Sequence, residues 1–289
     1  MADRYAPNSR LTAHLGDPGH ASAFVLAALG VYLGWFFLRE GALLIIPEAH
    51  ARGATRWGFF VQMMLFGLLI ALTIRTAHRF HRVDWRGFVG ERSQVARDFA
   101  RVFGACMAVY AVFVLLGWSA GSATMRPLGG WLAFLPVALF GIAIQTGAEE
   151  LFFRGYLHHY ATAFLKRPIQ WIIVPSLAFG LVHALADTSS TAASLAYVAW
   201  TFAFGVAAVD LTARSGSLGA AWGLHMAANS TAFCLAAEDG GPMSGAALFL
   251  FGARAPETIP ETAFIVSALL FELLFLFVLW LAARNAIER

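Results

Sequence analysis

Six ionisable or amide side chains interrupt otherwise apolar stretches of this sequence. They lie in three separate stretches and are Glu149, Glu150, Arg154, His183, His225 and Asn229. A charged residue inside a bilayer costs about 2.5–3.5 kcal/mol on insertion scales, and such residues usually mark functional sites. A carboxylate, histidines and an amide can together activate water and stabilise an oxyanion. The three stretches therefore favour one polar site that they share.

The spacing in the first stretch separates its two carboxylates. Glu150 and Arg154 are four residues apart, so they share a helix face and can pair. Glu149 is turned about 100° from Glu150 around the helix and cannot share Arg154 equally well. We therefore predict a structural Glu150–Arg154 ion pair, with Glu149 free to take part in chemistry.

The second and third stretches also carry their groups at helical spacing. Phe179 and His183 are one turn apart, as are His225 and Asn229. A buried core histidine at His183 and a helix–helix hydrogen bond from His225 or Asn229 are the structural alternatives to a catalytic role.

Helix lengths predict that these stretches meet at a similar depth. Glu149 and His183 are each 17 residues from Lys166, which lies at a turn marked by proline. Two helical arms would place both residues about 25 Å from that turn. His225 would lie about 16 Å beyond Arg214. We expect a site inside the membrane, nearer its cytoplasmic side.

The composition predicts a membrane-spanning fold. Apolar residues make up 59% of the 289 residues and charged residues only 13%, against about 25% charged in soluble domains. This balance excludes a soluble globule, a disordered chain and a nucleic-acid-binding protein. We predict an all-α polytopic membrane protein of about eight transmembrane helices around a buried polar site. The helices are expected at residues 21–38, 57–75, 99–118, 131–150, 169–185, 192–211, 217–236 and 262–283.

Basic residues set the expected orientation. Lys166 is the one lysine, and the bias towards arginine indicates a bacterial source. With the arginine-rich stretch 75–101 in the cytoplasm, fifteen basic residues lie inside and five outside. This split favours a plasma (inner) membrane protein with both termini cytoplasmic and with water reaching the site from the cytoplasm. The five outside are Arg39, Arg52, Arg56, Arg126 and Arg254.

Other polar residues are expected to have structural or solvated roles. We predict His158 and His159 at a surface or interface, and His78 and His81 in solvent. Glu272, a lone acid in the last span, is expected to pair with a neighbouring helix or to face a groove.

The three stretches resemble the CPBP family of intramembrane endopeptidases, which groups type 2 CAAX prenyl proteases with bacteriocin-processing (Abi) proteins. The family pattern is Glu-Glu-x-x-x-Arg, Phe-x-x-x-His and His-x-x-x-Asn. It falls in order on Glu149, Glu150, Arg154, Phe179, His183, His225 and Asn229. The resemblance covers about residues 130–235 and implies hydrolysis of a membrane-associated protein or peptide.

With the predicted spans, this resemblance divides the chain into four parts. A cytoplasmic segment (1–20) precedes three spans with a basic cytoplasmic loop (21–125). A CPBP-like catalytic core (126–237) follows. An extracytoplasmic loop and the last span (238–289) complete the chain.

Two catalytic routes are open for these residues. In one, Glu149 takes a proton from a water held by His183, while His225 and Asn229 donate hydrogen bonds to the oxyanion and no cofactor is needed. In the other, His183, His225 and Glu149 hold a zinc ion with an open position for water. Asn229 suits an oxyanion donor better than a zinc ligand, which favours the first route.

Two other classes of function fit the same residues. An ion-coupled transporter also uses intramembrane acids and histidines to relay protons, but the sequence shows no inverted repeat of the kind common in transporters. A non-catalytic scaffold that binds a peptide is the third possibility. The expected partners are the lipid bilayer and a membrane-associated peptide, without nucleic acid.

Overall fold

Helices dominate the fold. The computed structural model describes residues 4–13, 19–117, 123–185, 190–252 and 261–288. Its α-helices are α1 (Ala6–Thr12), α2 (Ala21–Leu43), α3 (Glu48–Ala51), α4 (Arg56–Met64), α5 (Phe66–His81), α6 (Arg86–Val89), α7 (Arg92–Gly117), α8 (Leu128–Glu150), α9 (His158–Phe164), α10 (Pro168–Val182), α11 (Thr191–Ser215), α12 (Gly219–Cys234) and α13 (Glu261–Ile287). Arg254, one of the five basic residues expected on the outer side of the membrane, does not belong to the described residues.

Six helical segments of the described chain are long and apolar enough to cross a membrane. They are Ala21–Leu43, Arg56–His81, Arg86–Leu116, Leu128–Phe164, Thr191–Ser215 and Thr262–Ile287. The other two predicted spans form the shorter helices α10 and α12, of 15 and 16 residues. The all-α polytopic fold is confirmed, although two of the eight predicted segments fall short of the roughly 20 residues of a full crossing.

The α12 helix packs among other helices of the bundle. It contacts α7, α8 and α11, and most of its residues are buried. Two glycines allow the approach to α7. A Cβ at Gly219 would lie 2.2 Å from the Val95 carbonyl oxygen, and one at Gly223 would lie 2.8 Å from that of Phe99. This contact fixes the polar face of α12 inside the bundle.

The predicted hairpin is present, with one irregularity that the sequence pattern missed. Pro168 begins α10, so the chain turns just before it. Between α8 and α9, residues Leu151–Leu157 form a π-helix instead of continuing the α-helix. Single-turn π-helical segments occur frequently at functional sites. This one directly follows the two glutamates.

A small sheet closes one end of the bundle. Its strands are β1 (Thr124–Met125), β2 (Ala236–Glu238) and β3 (Phe249–Phe251), in the spatial order β1-β3-β2. The β1 strand pairs antiparallel with β3, and β2 pairs parallel with it. Arg126 Nη1 donates to the Gly245 carbonyl oxygen at 2.7 Å beside the sheet.

The surface prediction for His158 and His159 is wrong, because both are fully buried. The α1 helix packs over this part of the hairpin with its own Asn8 buried. His158 Nε2 lies 2.8 Å from Asn8 Oδ1, and His159 Nδ1 lies 3.3 Å from the Arg154 carbonyl oxygen.

One further expectation about polar residues needs correction. His78 is exposed as predicted, but His81 is partly buried, with its Nε2 2.6 Å from the Tyr156 hydroxyl. Glu272 is exposed on α13, and no ion pair to it occurs in the described part of the chain. The hydroxyl of Tyr156 reaches His81 because the end of α5 packs against the π-helix.

Candidate active site

The four residues predicted to be catalytic line one cavity of about 300 Å³. Glu149 comes from the end of α8, His183 from the end of α10, and His225 and Asn229 from α12. The volume is at the lower end of the range for ligand pockets. Convergence of the three stretches, which was inferred from helix lengths, is therefore present in the structure.

Glu150 lies in a closed network behind the cavity. Its Oε1 accepts hydrogen bonds from Arg154 Nη1 at 3.0 Å and from His225 Nδ1 at 2.7 Å. Glu150 and Arg154 are each 1% exposed. The predicted ion pair is present, while the bond to His225 was not predicted. Because a carboxylate facing Arg154 can only accept, Nδ1 of His225 carries a proton.

Phe179 covers this network from the α10 side. The Arg154 guanidinium carbon lies 4.3 Å from the centre of the Phe179 ring, a cation–π geometry. The same ring is 4.6 Å from the His183 ring and meets the His225 ring edge-on at 6.1 Å. Phe179 therefore separates the two histidines and packs against the buried charge.

Glu149 has different surroundings from Glu150. It is 8% exposed and lines the cavity. Its Oε2 is 3.5 Å from His225 Nε2, longer than a normal N–H···O hydrogen bond. Within the described residues it forms no ion pair with an arginine. The two carboxylates thus occupy the different positions that their 100° offset predicts.

His183 is oriented by the end of its own helix. Its Nδ1 lies 2.6 Å from the Phe179 carbonyl oxygen, one of the last carbonyls of α10 that lack an intrahelical donor. Since a carbonyl oxygen only accepts, Nδ1 carries the proton in the neutral ring and Nε2 holds the free lone pair. His183 can therefore accept a hydrogen bond from a water or ligand through Nε2.

Asn229 has a partner that sequence analysis missed. Its Nδ2 donates to Gln145 Oε1 at 2.8 Å. Gln145 is buried, lines the cavity and precedes Glu149 by one helical turn. The sequence did offer one signal for Gln145 as a site residue, because it is a glutamine one helical turn before the intramembrane acid Glu149. One N–H of Asn229 is used in this bond, and the amide has a second to donate.

The opposite wall comes from helices to which the sequence assigned no role. Tyr32, Trp35 and Arg39 belong to α2, and Gln62 belongs to α4. The lining extends to Arg39, Gln62 and Met243, at the end of the bundle that the charge count places outside.

The zinc arrangement is not assembled. Within the described residues, no group of three His, Cys, Asp or Glu side chains is placed to hold a metal ion. His225 directs Nδ1 to Glu150, and the Phe179 ring contacts both histidine rings. The donor set of His183, His225 and Glu149 does not fit a three-ligand zinc site in this geometry.

The comparisons with known proteins fall on the same part of the chain. A family model described as type II CAAX prenyl endopeptidase, Rce1-like, matches residues 130–231. A curated relative, the uncharacterized protein YyaK of Bacillus subtilis (strain 168), is 33% identical over 105 residues, which are 36% of this chain and 34% of that protein.

The chain therefore spans about a third of the length of the curated relative it matches. No solved structure matches it significantly. The family match contains every residue of the three motifs, from Glu149 to Asn229. The resemblance seen in the sequence is thereby confirmed, since residues 130–231 match the model of the Rce1-like type II CAAX prenyl endopeptidases.

Proposed function

We propose that this protein is an intramembrane endopeptidase in which Glu149 activates water to attack a peptide bond. The observation that carries the proposal is the meeting of Glu149, His183, His225 and Asn229 on one cavity. The family match over residues 130–231 supports a protease of the CAAX type. Because the cavity lies among helices long and apolar enough to span a membrane, the substrate is a membrane-associated protein or peptide.

Glu149 acts as the general base and then as the general acid. Its carboxylate takes one proton from water, while His183 Nε2 accepts a hydrogen bond from the other hydrogen and orients the oxygen. The resulting hydroxide forms a bond to the carbonyl carbon and gives a tetrahedral intermediate. Glu149 returns its proton to the amide nitrogen as the carbon–nitrogen bond breaks. The products are a carboxylic acid and an amine, and no external reagent is consumed.

His225 and Asn229 stabilise the oxyanion of the intermediate. Asn229 offers its second N–H, and His225 offers Nε2–H in its protonated form. Glu150 accepts from Nδ1 of the same ring at 2.7 Å and so fixes the orientation of the ring. Glu150 and Arg154 therefore position His225 and do not touch the reacting atoms.

The test compares membrane peptide profiles of cells that make equal amounts of the wild type or the Glu149→Gln variant. We expect products in the wild type and a loss of about 10²–10⁴-fold in the variant, the usual contribution of a general base. Glu272→Gln is the matched control, because it removes another acid from an apolar helix but not from the cavity lining. Identical profiles for the wild type and Glu149→Gln would contradict the proposal.

Chelation tests the metal-free route. We expect purified wild-type protein to keep its activity after thorough treatment with a strong chelator. Stoichiometric zinc that is lost together with activity, and that restores activity on return, would move His183 and His225 into a ligand shell.

A further inference from the structure

One wall of the cavity carries a guanidinium that the mechanism above does not use. Arg39, on α2, is the one arginine or lysine among the described residues that line the cavity. Its Nη2 donates to Gln62 Oε1 at 2.7 Å, and Gln62 Nε2 in turn donates to the Ala51 carbonyl oxygen. Gln62 is 4% exposed. The buried amide thus fixes the orientation of the guanidinium against the wall.

The charge of Arg39 remains available to a ligand. Its Nη1 pairs with Glu40, whose side chain is 44% exposed and does not line the cavity. A pair exposed to this degree contributes little and exchanges readily with competing anions. A carboxylate inside the cavity can therefore replace Glu40 at the guanidinium.

The cavity separates this cation from the catalytic acid. Glu149 is the one aspartate or glutamate among the described lining residues. Tyr32, one turn before Trp35 on α2, lines the same wall as Arg39. Much of the remaining lining is aromatic and includes Trp35 and Phe153. A ligand that fits this surface is apolar, with one anionic group at the Arg39 side.

We propose that Arg39 and Gln62 form a subsite for a carboxylate of the peptide substrate. The planar fork of an arginine matches the two oxygens of a carboxylate. The ligand identity rests on the proposed function. The carboxylate is either the C-terminus of the substrate or an acidic side chain near the cleaved bond, since both present the same two oxygens. Arg39 is then a specificity-determining residue that selects substrates without taking part in bond cleavage.

Binding to an inactive protein tests the subsite separately from catalysis. Full-length Glu149→Gln protein in detergent is dialysed to equilibrium against three probes. These are acetyl-Phe-Leu-Phe as the free acid, the same peptide as the amide, and acetyl-Phe-Asp-Phe amide. We expect the free acid, the Asp peptide or both to bind about tenfold more tightly than the uncharged amide, as for one charge-assisted hydrogen bond.

Variants of Arg39 and Arg52 show whether the preference for a carboxylate probe depends on Arg39. Arg39→Gln should remove it, and Arg39→Lys should keep part of it, because the charge stays while the fork is lost. Arg52→Gln should leave it unchanged, because Arg52 is 47% exposed and outside the cavity lining. A thermal melt of each variant identifies any that fails to fold.

The results distinguish the two possible sources of the carboxylate. They also distinguish failure of the Arg39 subsite from failure of the proposed protease function. Tight binding of the free acid alone identifies a chain terminus, and tight binding of the Asp peptide identifies an acidic side chain. Equal binding of all three probes, a preference that survives Arg39→Gln, or no measurable binding of either carboxylate probe would overturn the subsite. A preference that depends on Arg39 without any cleavage that depends on Glu149 would support the subsite and reject the protease.

Discussion

Two buried acid–arginine pairs in this molecule are built alike but have different neighbours. In each pair the residues are four apart on one helix. Arg154 Nη1 lies 3.0 Å from Glu150 Oε1, and Arg214 Nε lies 2.7 Å from Asp210 Oδ2. The first pair lies behind the cavity at the end of α8, and the second lies near the end of α11.

The second pair ties three helices together. Asp210 Oδ1 accepts from the Tyr5 hydroxyl at 2.6 Å, and Oδ2 accepts from Trp280 Nε1 at 3.0 Å in addition to Arg214. Tyr5 directly precedes α1, and Trp280 belongs to α13. The Tyr5 and Trp280 contacts of this cluster join other parts of the protein to α11, which indicates a structural role.

The difference between the clusters lies in the residue next to each acid. Val209, before Asp210, is fully buried and apolar, whereas Glu149, before Glu150, is a second acid that lines a cavity. A buried acid–arginine pair is therefore not evidence of catalysis in this fold. The additional acid without an arginine partner distinguishes the site.

The largest expected effect comes from breaking the first pair. Glu150→Gln leaves Arg154 buried without a counter-charge, and removal of one partner from a buried pair costs about 3–5 kcal/mol. We expect the free energy of unfolding in detergent to fall by about this amount. Glu149→Gln should leave the stability nearly unchanged. Equal stability of the two variants would remove the distinction between the carboxylates.

Breaking the second pair should have a smaller effect on stability and none on chemistry. Asp210→Asn weakens charge-assisted hydrogen bonds worth about 1.5–3 kcal/mol, and Arg214 is 11% exposed, so water partly replaces them. We expect a lower thermal midpoint with unchanged cleavage per folded molecule. A variant that folds as well as the wild type but no longer cleaves peptide would connect this cluster to the site.

Local patterns in the sequence predicted much of the site. Apolar runs identified the helices, and the spacing of four residues predicted the Glu150–Arg154 pair, because both depend on helix geometry alone. The similar depth of Glu149 on α8 and His183 at the end of α10 followed from equal distances to a turn. These inferences needed no knowledge of how distant segments pack.

Features that depend on tertiary packing were missed. The bond between Glu150 and His225 joins residues 75 apart in sequence, and the wall with Arg39 and Gln62 comes from helices far from the motifs. His158 is buried because α1 packs over it, which the amphipathic pattern of α9 does not reveal. The burial of α12 among other helices likewise depends on contacts with distant segments.

The smallest predicted effect on stability is that of Tyr5→Phe, and it depends on pH. Tyr5→Phe removes one hydrogen bond to Asp210 and should lower stability by about 1 kcal/mol at neutral pH. Burial, followed by the hydrogen bond to Asp210, raises the pKa of Tyr5 from 10.0 to about 12. The folded state thus holds the phenolic proton more tightly than the unfolded chain, and this contribution is complete below pH 10 and lost as the pH rises through 12. Unfolding free energies of the wild type and Tyr5→Phe should therefore converge between pH 10 and 12, while peptide cleavage near pH 7 stays equal. A constant stability difference across that range would mean that the Tyr5 hydroxyl is not held by Asp210.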